Sequence, residues 1–439
     1  MSGAPARGTV VVVGGGVAGL CCAYYLRKQG REVTIVESNR VGSGASFANG
    51  GWLCPAQAGP LPEPGLTLYG MRALFDRDSA LYFKPSGLGR LAPWLLRFWT
   101  YCNEADHTAG TAAIAQLGHD VFELIEGMRA DGVEFELHKQ GMLVAARRAE
   151  VARGELRKLG PMREHGYDLP DDVLVGAELH ELEPALSPAI GAGFLVRQHW
   201  HVRSDSFTAG LAVVLRRDGV EILEGAEVFE LVQQGQRLTH VRTAAGDLEA
   251  DTVVLAAGAW TTPLAHSIGI SLPMEPGKGY SFSVQPTVVP SHAILLADVH
   301  VGCTPFDDRM RIGGTMEFSG INNRLDRRRI GSIVAGARES FVPWRSPQIA
   351  DEWAGMRPIA ADGLPILDRA GAFENAYIAT GGGMQGVTLA APSGQALAEL
   401  ITTGQRPALL EPFRLDRFQR LTLPRSARSR HGHQPVRVG

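Results

Sequence analysis

Thr9-Val10-Val11-Val12-Val13-Gly14-Gly15-Gly16-Val17-Ala18-Gly19 is followed by an apolar helix pattern and then by Val33-Thr34-Ile35-Val36-Glu37. The order is strand, glycine turn, helix, strand and terminal acid, one βαβ unit with a dinucleotide-binding turn. Gly14 allows the tight turn, Gly16 lets backbone approach a pyrophosphate, and Gly19 lets helix and strand pack closely. The phosphates are expected over the start of the helix at Val17 and Ala18, where unpaired N–H groups and the dipole favour negative charge. Glu37 is placed to accept from the adenosine ribose hydroxyls. A carboxylate there repels a 2′-phosphate, which disfavours NADP and leaves FAD or NAD.

At 439 residues the chain is long for one hydrophobic core, so two domains are expected. Hydrophobic content of 45% and charged content of 20% are ordinary for a globular protein, and a net charge of −3 gives no reason to expect nucleic acid. Cys21, Cys22, Cys54, Cys102 and Cys303 are odd in number and lack metal-ligand spacing. No metal is expected, and the compartment is read as reducing, hence cytoplasmic. Val10 to Leu26 lacks charge, but its glycines and the following Arg27-Lys28 argue against a signal or anchor. No other stretch is apolar and long enough to span a bilayer.

Val41 to Gly51 is rich in small residues and hydroxyls, and reads as a cofactor-covering loop through Ser46, Asn49 and Gly50. Leu66 to Asn103 is rich in aromatics, and its helical stretch Leu91 to Trp99 has two readings. One is packing within the second domain. The other is a peripheral contact at the inner face of the cell membrane. Val133 to Leu137 and Gly141 to Ala145 alternate like half-exposed antiparallel strands. Ser206 to Arg217 reads as a helix, and the hairpin-rich region after Gly219 contains Val228. Ala250 to Ala256 reads as a buried strand opening into Ala257-Gly258-Ala259-Trp260, a turn suited to meet a ring system.

Gly381-x-Gly383-x-x-Gly386 repeats the glycine pattern after a strand, yet Pro392 is expected to interrupt the helix and no acid-ended strand follows. This second turn therefore reads as a helix start aimed at a flavin ring, with Gly383, Gln385, Gly386, Val387 and Thr388 as contacts. The fold expected is α/β. A Rossmann-like FAD-binding domain (residues 9–50, 196–262 and 350–422) is interleaved with an antiparallel-sheet-plus-helices substrate domain (51–195 and 263–349). A disordered basic tail (423–439) follows.

These segments together resemble the D-amino-acid oxidase superfamily of FAD enzymes, closest to bacterial D-amino-acid dehydrogenases. The likeness rests on Gly14 to Glu37, Phe47-Ala48-Asn49-Gly50-Gly51, Pro276 to Ser281, Arg311-Ile312-Gly313-Gly314-Thr315-Met316-Glu317, Trp353-Ala354-Gly355-Met356-Arg357-Pro358, Asp362-Gly363-Leu364-Pro365 and the closing glycine segment. It implies that Arg357 forms a two-pronged ion pair with a substrate carboxylate, and that Tyr280 supplies a hydroxyl near the substrate. It further implies non-covalent FAD, since no cysteine lies near Arg357. The reaction implied is hydride transfer from Cα of a D-amino acid to flavin N5, with imine hydrolysis to a 2-oxo acid and ammonia. Electrons would pass to a membrane quinone or another acceptor. Two related readings stay open: an oxidase using O₂ in the manner of glycine or sarcosine oxidases, and the flavin subunit of a heteromeric proline- or hydroxyproline-type dehydrogenase. Gly50-Gly51-Trp52-Leu53-Cys54 departs from the dehydrogenases' usual Ala-Gly-Gln at this point. His138, His199 and His201 are candidate aids to deprotonation that the chemistry does not require.

Overall fold

The computed structural model describes residues 8–57, 59–66, 79–346 and 348–420. The aromatic positions Tyr69 and Phe75, and the basic tail, lie outside the described residues.

The opening strand Thr9–Val13 sits inside a six-stranded sheet, with Val10 and Val12 packed on one face and Val11 and Val13 on the other. Burial on both faces is what an unbroken valine run specifies. Thr9–Val13 pairs in parallel with Glu32–Val36 and Thr252–Leu255. Glu221–Leu223 extends one side, Ala376–Thr380 the other, and Ile366–Arg369 closes the edge antiparallel. The helices Val17–Lys28, Ser204–Arg217 and Gly386–Thr403 cover one face, and a three-stranded antiparallel sheet (Val228–Gln234, Arg237–Thr243, Gly246–Glu249) covers part of the other. Cys21 and Cys22 are buried where the first and last of these helices meet, and a Cβ on Gly394 would lie 2.6 Å from the Cys21 carbonyl carbon.

A nine-stranded sheet forms the second layer. Its central strands Met274–Val284, Met310–Phe318 and Val301–Pro305 are antiparallel, and Met142–Ala146 joins through a parallel pairing with Ala293–Leu296. On Met274–Val284, Tyr280, Phe282 and Val284 share a core with Ile330 and Ile333 of the helix Arg327–Ser340. Gly277, Gly279, Ser281 and Ser283 alternate onto the opposite face.

Three expectations change. Ala350–Ala360, grouped by sequence with the nucleotide-binding segments, pairs with Met274–Val284 in the large sheet. Met142–Ala146 is buried on both faces rather than half exposed, and Leu137–His138 pairs elsewhere, with Trp200–Val202. Pro392 does not interrupt the last helix, which runs Gly386–Thr403 through it. A proline removes one hydrogen bond, and near-complete burial of this helix outweighs that loss.

Candidate active site

A cavity of about 1910 Å³ is lined by residues of both layers. Ligand pockets typically measure about 300–1,000 Å³, so there is room for a large cofactor and a substrate together.

At the nucleotide end, Gly14 has φ +114°, and a Cβ there would lie 2.6 Å from the Ala256 carbonyl oxygen. A Cβ on Gly19 would overlap the Gly14 carbonyl oxygen, so this glycine serves close packing. Glu37 accepts from the Gly15 N–H at 2.8 Å and the Asn39 N–H at 2.9 Å, which fixes its carboxylate beside the turn. Gly16 brings no side-chain cap to the helix, and Ser46 Oγ accepts from the Val17 N–H at 3.0 Å. These residues fit the expected FAD: a bare backbone turn, a helix start and a carboxylate all border one cavity.

The loop after Glu37 is tied down internally. Asn49 Oδ1 accepts from the Gly51 N–H and the Ser204 hydroxyl, while its amide donates to the Ala45 carbonyl. Ser281 and Arg311 donate to the Ala48 carbonyl, at 2.6 and 3.3 Å, fastening this loop to the large sheet.

Of the candidate contacts, Gly14, Gly16, Val17, Ala18, Glu37, Ser46, Asn49, Gly50, Val228, Ala257, Gly258, Trp260, Gly383, Gln385, Gly386 and Val387 all line the cavity. Both glycine turns therefore open on one space. Gly19 and Thr388 do not line it. Thr388 is buried and donates to the Trp52 carbonyl, so its hydroxyl serves packing between segments.

Arg357 projects from Ala350–Ala360 into the cavity, and its guanidinium lies across Gly279, where a Cβ would overlap it. Nη1 donates to the Thr315 carbonyl at 2.9 Å. Thr315 has φ +62° within a bulge of its strand, which turns that carbonyl toward the arginine. Among the described residues no carboxylate pairs with Arg357, and burial pulls it down to about 10. An unpaired guanidinium beneath the surface is costly until an anion arrives.

Tyr280 borders the cavity, but its hydroxyl is not directed there. Its side chain packs on the reverse face, 1% exposed, and donates to Glu317 at 2.6 Å, while Lys278 pairs with the same carboxylate. The signal was present in the alternation of Lys278, Tyr280 and Phe282 against Gly277, Gly279 and Ser281.

His199 and His201 are buried outside the cavity lining, and His138 stacks on His201 at 4.6 Å.

Arg311 was missed. It lines the cavity, is 6% exposed, and is held by Ser281, Ser283 and the Ala48 carbonyl. Burial pulls it, too, down to about 10. An arginine flanked in its strand by Met310, Ile312, Gly313 and Gly314 was the available clue.

Residues 9–400 match the family model described as DAO, FAD dependent oxidoreductase. A protein named D-amino acid dehydrogenase from Methylobacterium nodulans is 32% identical over 91% of this chain and 96% of its own length. Another of that name from Rhizorhabdus wittichii is 30% identical over 91% and 97%. Among solved structures, glycine oxidase from Geobacillus kaustophilus superposes with a TM-score of 0.72 at 24% identity, covering 93% of this chain and 98% of the other. L-proline dehydrogenase from P. horikoshii gives 0.71 at 20% identity, covering 95% and 99%. At those identities the structures speak for the fold alone.

Proposed function

Because the chain belongs to the DAO family of FAD-dependent oxidoreductases, we propose that it oxidises a D-amino acid at Cα and passes the electrons to a quinone or another acceptor rather than to dioxygen. The observation carrying this reading is the Arg357 guanidinium, directed into the cavity with no carboxylate of the described residues against it. A planar guanidinium matches a carboxylate in two parallel hydrogen bonds. The names of the two bacterial relatives support the amino-acid class, the D configuration and a dehydrogenase rather than an oxidase.

FAD, when bound, supplies the hydride acceptor. The chain's contribution is position. Arg357 holds the substrate carboxylate, and the Thr315 carbonyl keeps the guanidinium from swinging. Glycines at 279 and 355 let the Arg357 guanidinium and the Trp353 ring lie low on the sheet, which fixes the height at which the substrate docks. Arg311 braces the Ala48 loop against the same sheet. The oxidised imine is then hydrolysed by water to a 2-oxo acid and ammonia.

Anaerobic mixing of the yellow holoprotein with paired D- and L-amino acids tests this reading. Bleaching by D-enantiomers, reoxidised faster by a quinone or dye than by air, is expected. Bleaching by L-enantiomers alone, or stoichiometric peroxide in air, would replace it with one of the rival activities.

A further inference from the structure

Two cross-strand glycines place an aromatic ring beside the carboxylate grip. Trp353, Gly355 and Arg357 share one face of Ala350–Ala360. A Cβ on Gly355 would overlap the six-membered ring of Trp353, and a Cβ on Gly279 would overlap the Arg357 guanidinium. Gly355 and Gly279 are directly paired. Paired positions lie about 4.5–5.5 Å apart, so indole and guanidinium lie side by side on the sheet.

The row running across the sheet from Trp353 continues the surface. Ser281, Gly313 and Gly302 follow on successive strands, all small and all lining the cavity. A second indole closes the trough: Trp52 lies over Gly302, where a Cβ would be 2.8 Å from its ring, and is fixed by its N–H to Thr304 Oγ1 at 2.8 Å. Three strand spacings separate the two ends, roughly 14 Å. The Trp353 indole makes no hydrogen bond among the described residues, so packing sets the pose of its ring.

Among the described residues no carboxylate shares this face of the strand with Trp353 and Arg357. Of the carboxylates lining the cavity, Glu352 alternates onto the opposite face from Trp353 and pairs through Oε2 with Arg327, and Glu63 and Glu155 pair with Lys158. Glu37 and Glu227 belong to the nucleotide end, where the Ala226 N–H donates to the Glu37 carbonyl. A basic substrate side chain would meet Arg357 and Arg311 without a counter-charge.

We propose that Trp353 is the wall that receives the substrate side chain, so that the substrate is an amino acid with a bulky uncharged side chain rather than a small or ionised one. This rests on the carboxylate role of Arg357. With the carboxylate held over Gly279, the next atoms of the substrate reach the indole over Gly355.

Steady-state kinetics of the holoprotein with leucine, phenylalanine, alanine, lysine and glutamate, in the productive configuration, test it. Burial of one apolar side chain corresponds to a preference of about tenfold to a hundredfold for leucine or phenylalanine over alanine in kcat/KM. Trp353→Ala should remove most of that ratio through KM, and Trp353→Phe should keep much of it. A preference for alanine, lysine or glutamate, or a ratio unmoved in Trp353→Ala, overturns the proposal. If no amino acid reduces the flavin, the amino-acid reading falls, and carboxylate binding still decides on the wall. Isocaproate binding more tightly than acetate in the wild type but not in Trp353→Ala, read from the flavin spectrum, supports it. Equal affinities overturn it.

Discussion

Arg357 rests its guanidinium on the bare backbone of Gly279, a diagonal neighbour on the paired strand, where any Cβ would overlap both terminal nitrogens. The glycine thereby sets how low the guanidinium lies, and so where a carboxylate docks.

Gly279→Ala should therefore displace Arg357 while leaving the nucleotide end untouched. We expect bound yellow FAD and a KM raised about tenfold to a hundredfold, the range that a displacement of about 1 Å produces. An unchanged KM would remove this guanidinium from carboxylate binding.

The pH dependence of anion binding follows from the same group. Burial sets Arg357 at about 10, and only its cationic form grips a carboxylate. Binding of an amine-free carboxylate such as isocaproate should be flat in neutral solution, then weaken by about tenfold for each pH unit beyond that value. Flavin difference titrations would show it. Affinity that holds steady far above this pH would show that the guanidinium keeps its charge there despite burial.

Tyr280→Phe separates the two roles considered for that residue. With its hydroxyl spent on Glu317, the substitution should lower stability by about 1.5–3 kcal/mol, the worth of a hydrogen bond to a charged group. kcat/KM should stay near the wild-type value. A large loss of kcat with unchanged Tm would restore Tyr280 to the reacting centre.

Acid sensitivity should trace to two buried histidines. Burial lowers His199 from 6.5 to about 3 and His201 from 6.5 to about 4, so both are neutral in the fold. The unfolded chain takes up protons below about 6.5, so the native state binds fewer. Their contribution is complete above that pH and is lost as pH falls, with a slope of up to about 1.4 kcal/mol per pH unit for each. Denaturant unfolding between pH 6.5 and the onset of acid denaturation should lose part of this slope in His199→Leu. Identical slopes in the two proteins would refute the assignment.

The nucleotide half was legible because its determinants are local. The valine run, the glycine spacing and Glu37 act within one βαβ unit, and their geometry follows from strand, turn and helix alone. The second glycine turn was readable for the same reason, and only the tolerance of Pro392 within a buried helix escaped. Composition and length likewise bounded the chain as globular and too long for one hydrophobic core.

What the tertiary structure alone decided lies on the large sheet. Trp353, Gly279, Arg357, Ser281 and Arg311 come from three strands far apart in sequence, and cross-strand register brings them to one face. The pleat sends Tyr280 and Ser281, adjacent in the chain, to different sides, and register decides which residues of the neighbouring strands each of them meets. The family resemblance announced an anion site at Arg357, and nothing in the sequence singled out Trp353 beside it. Only strand pairing, a long-range property, determined that they share a floor.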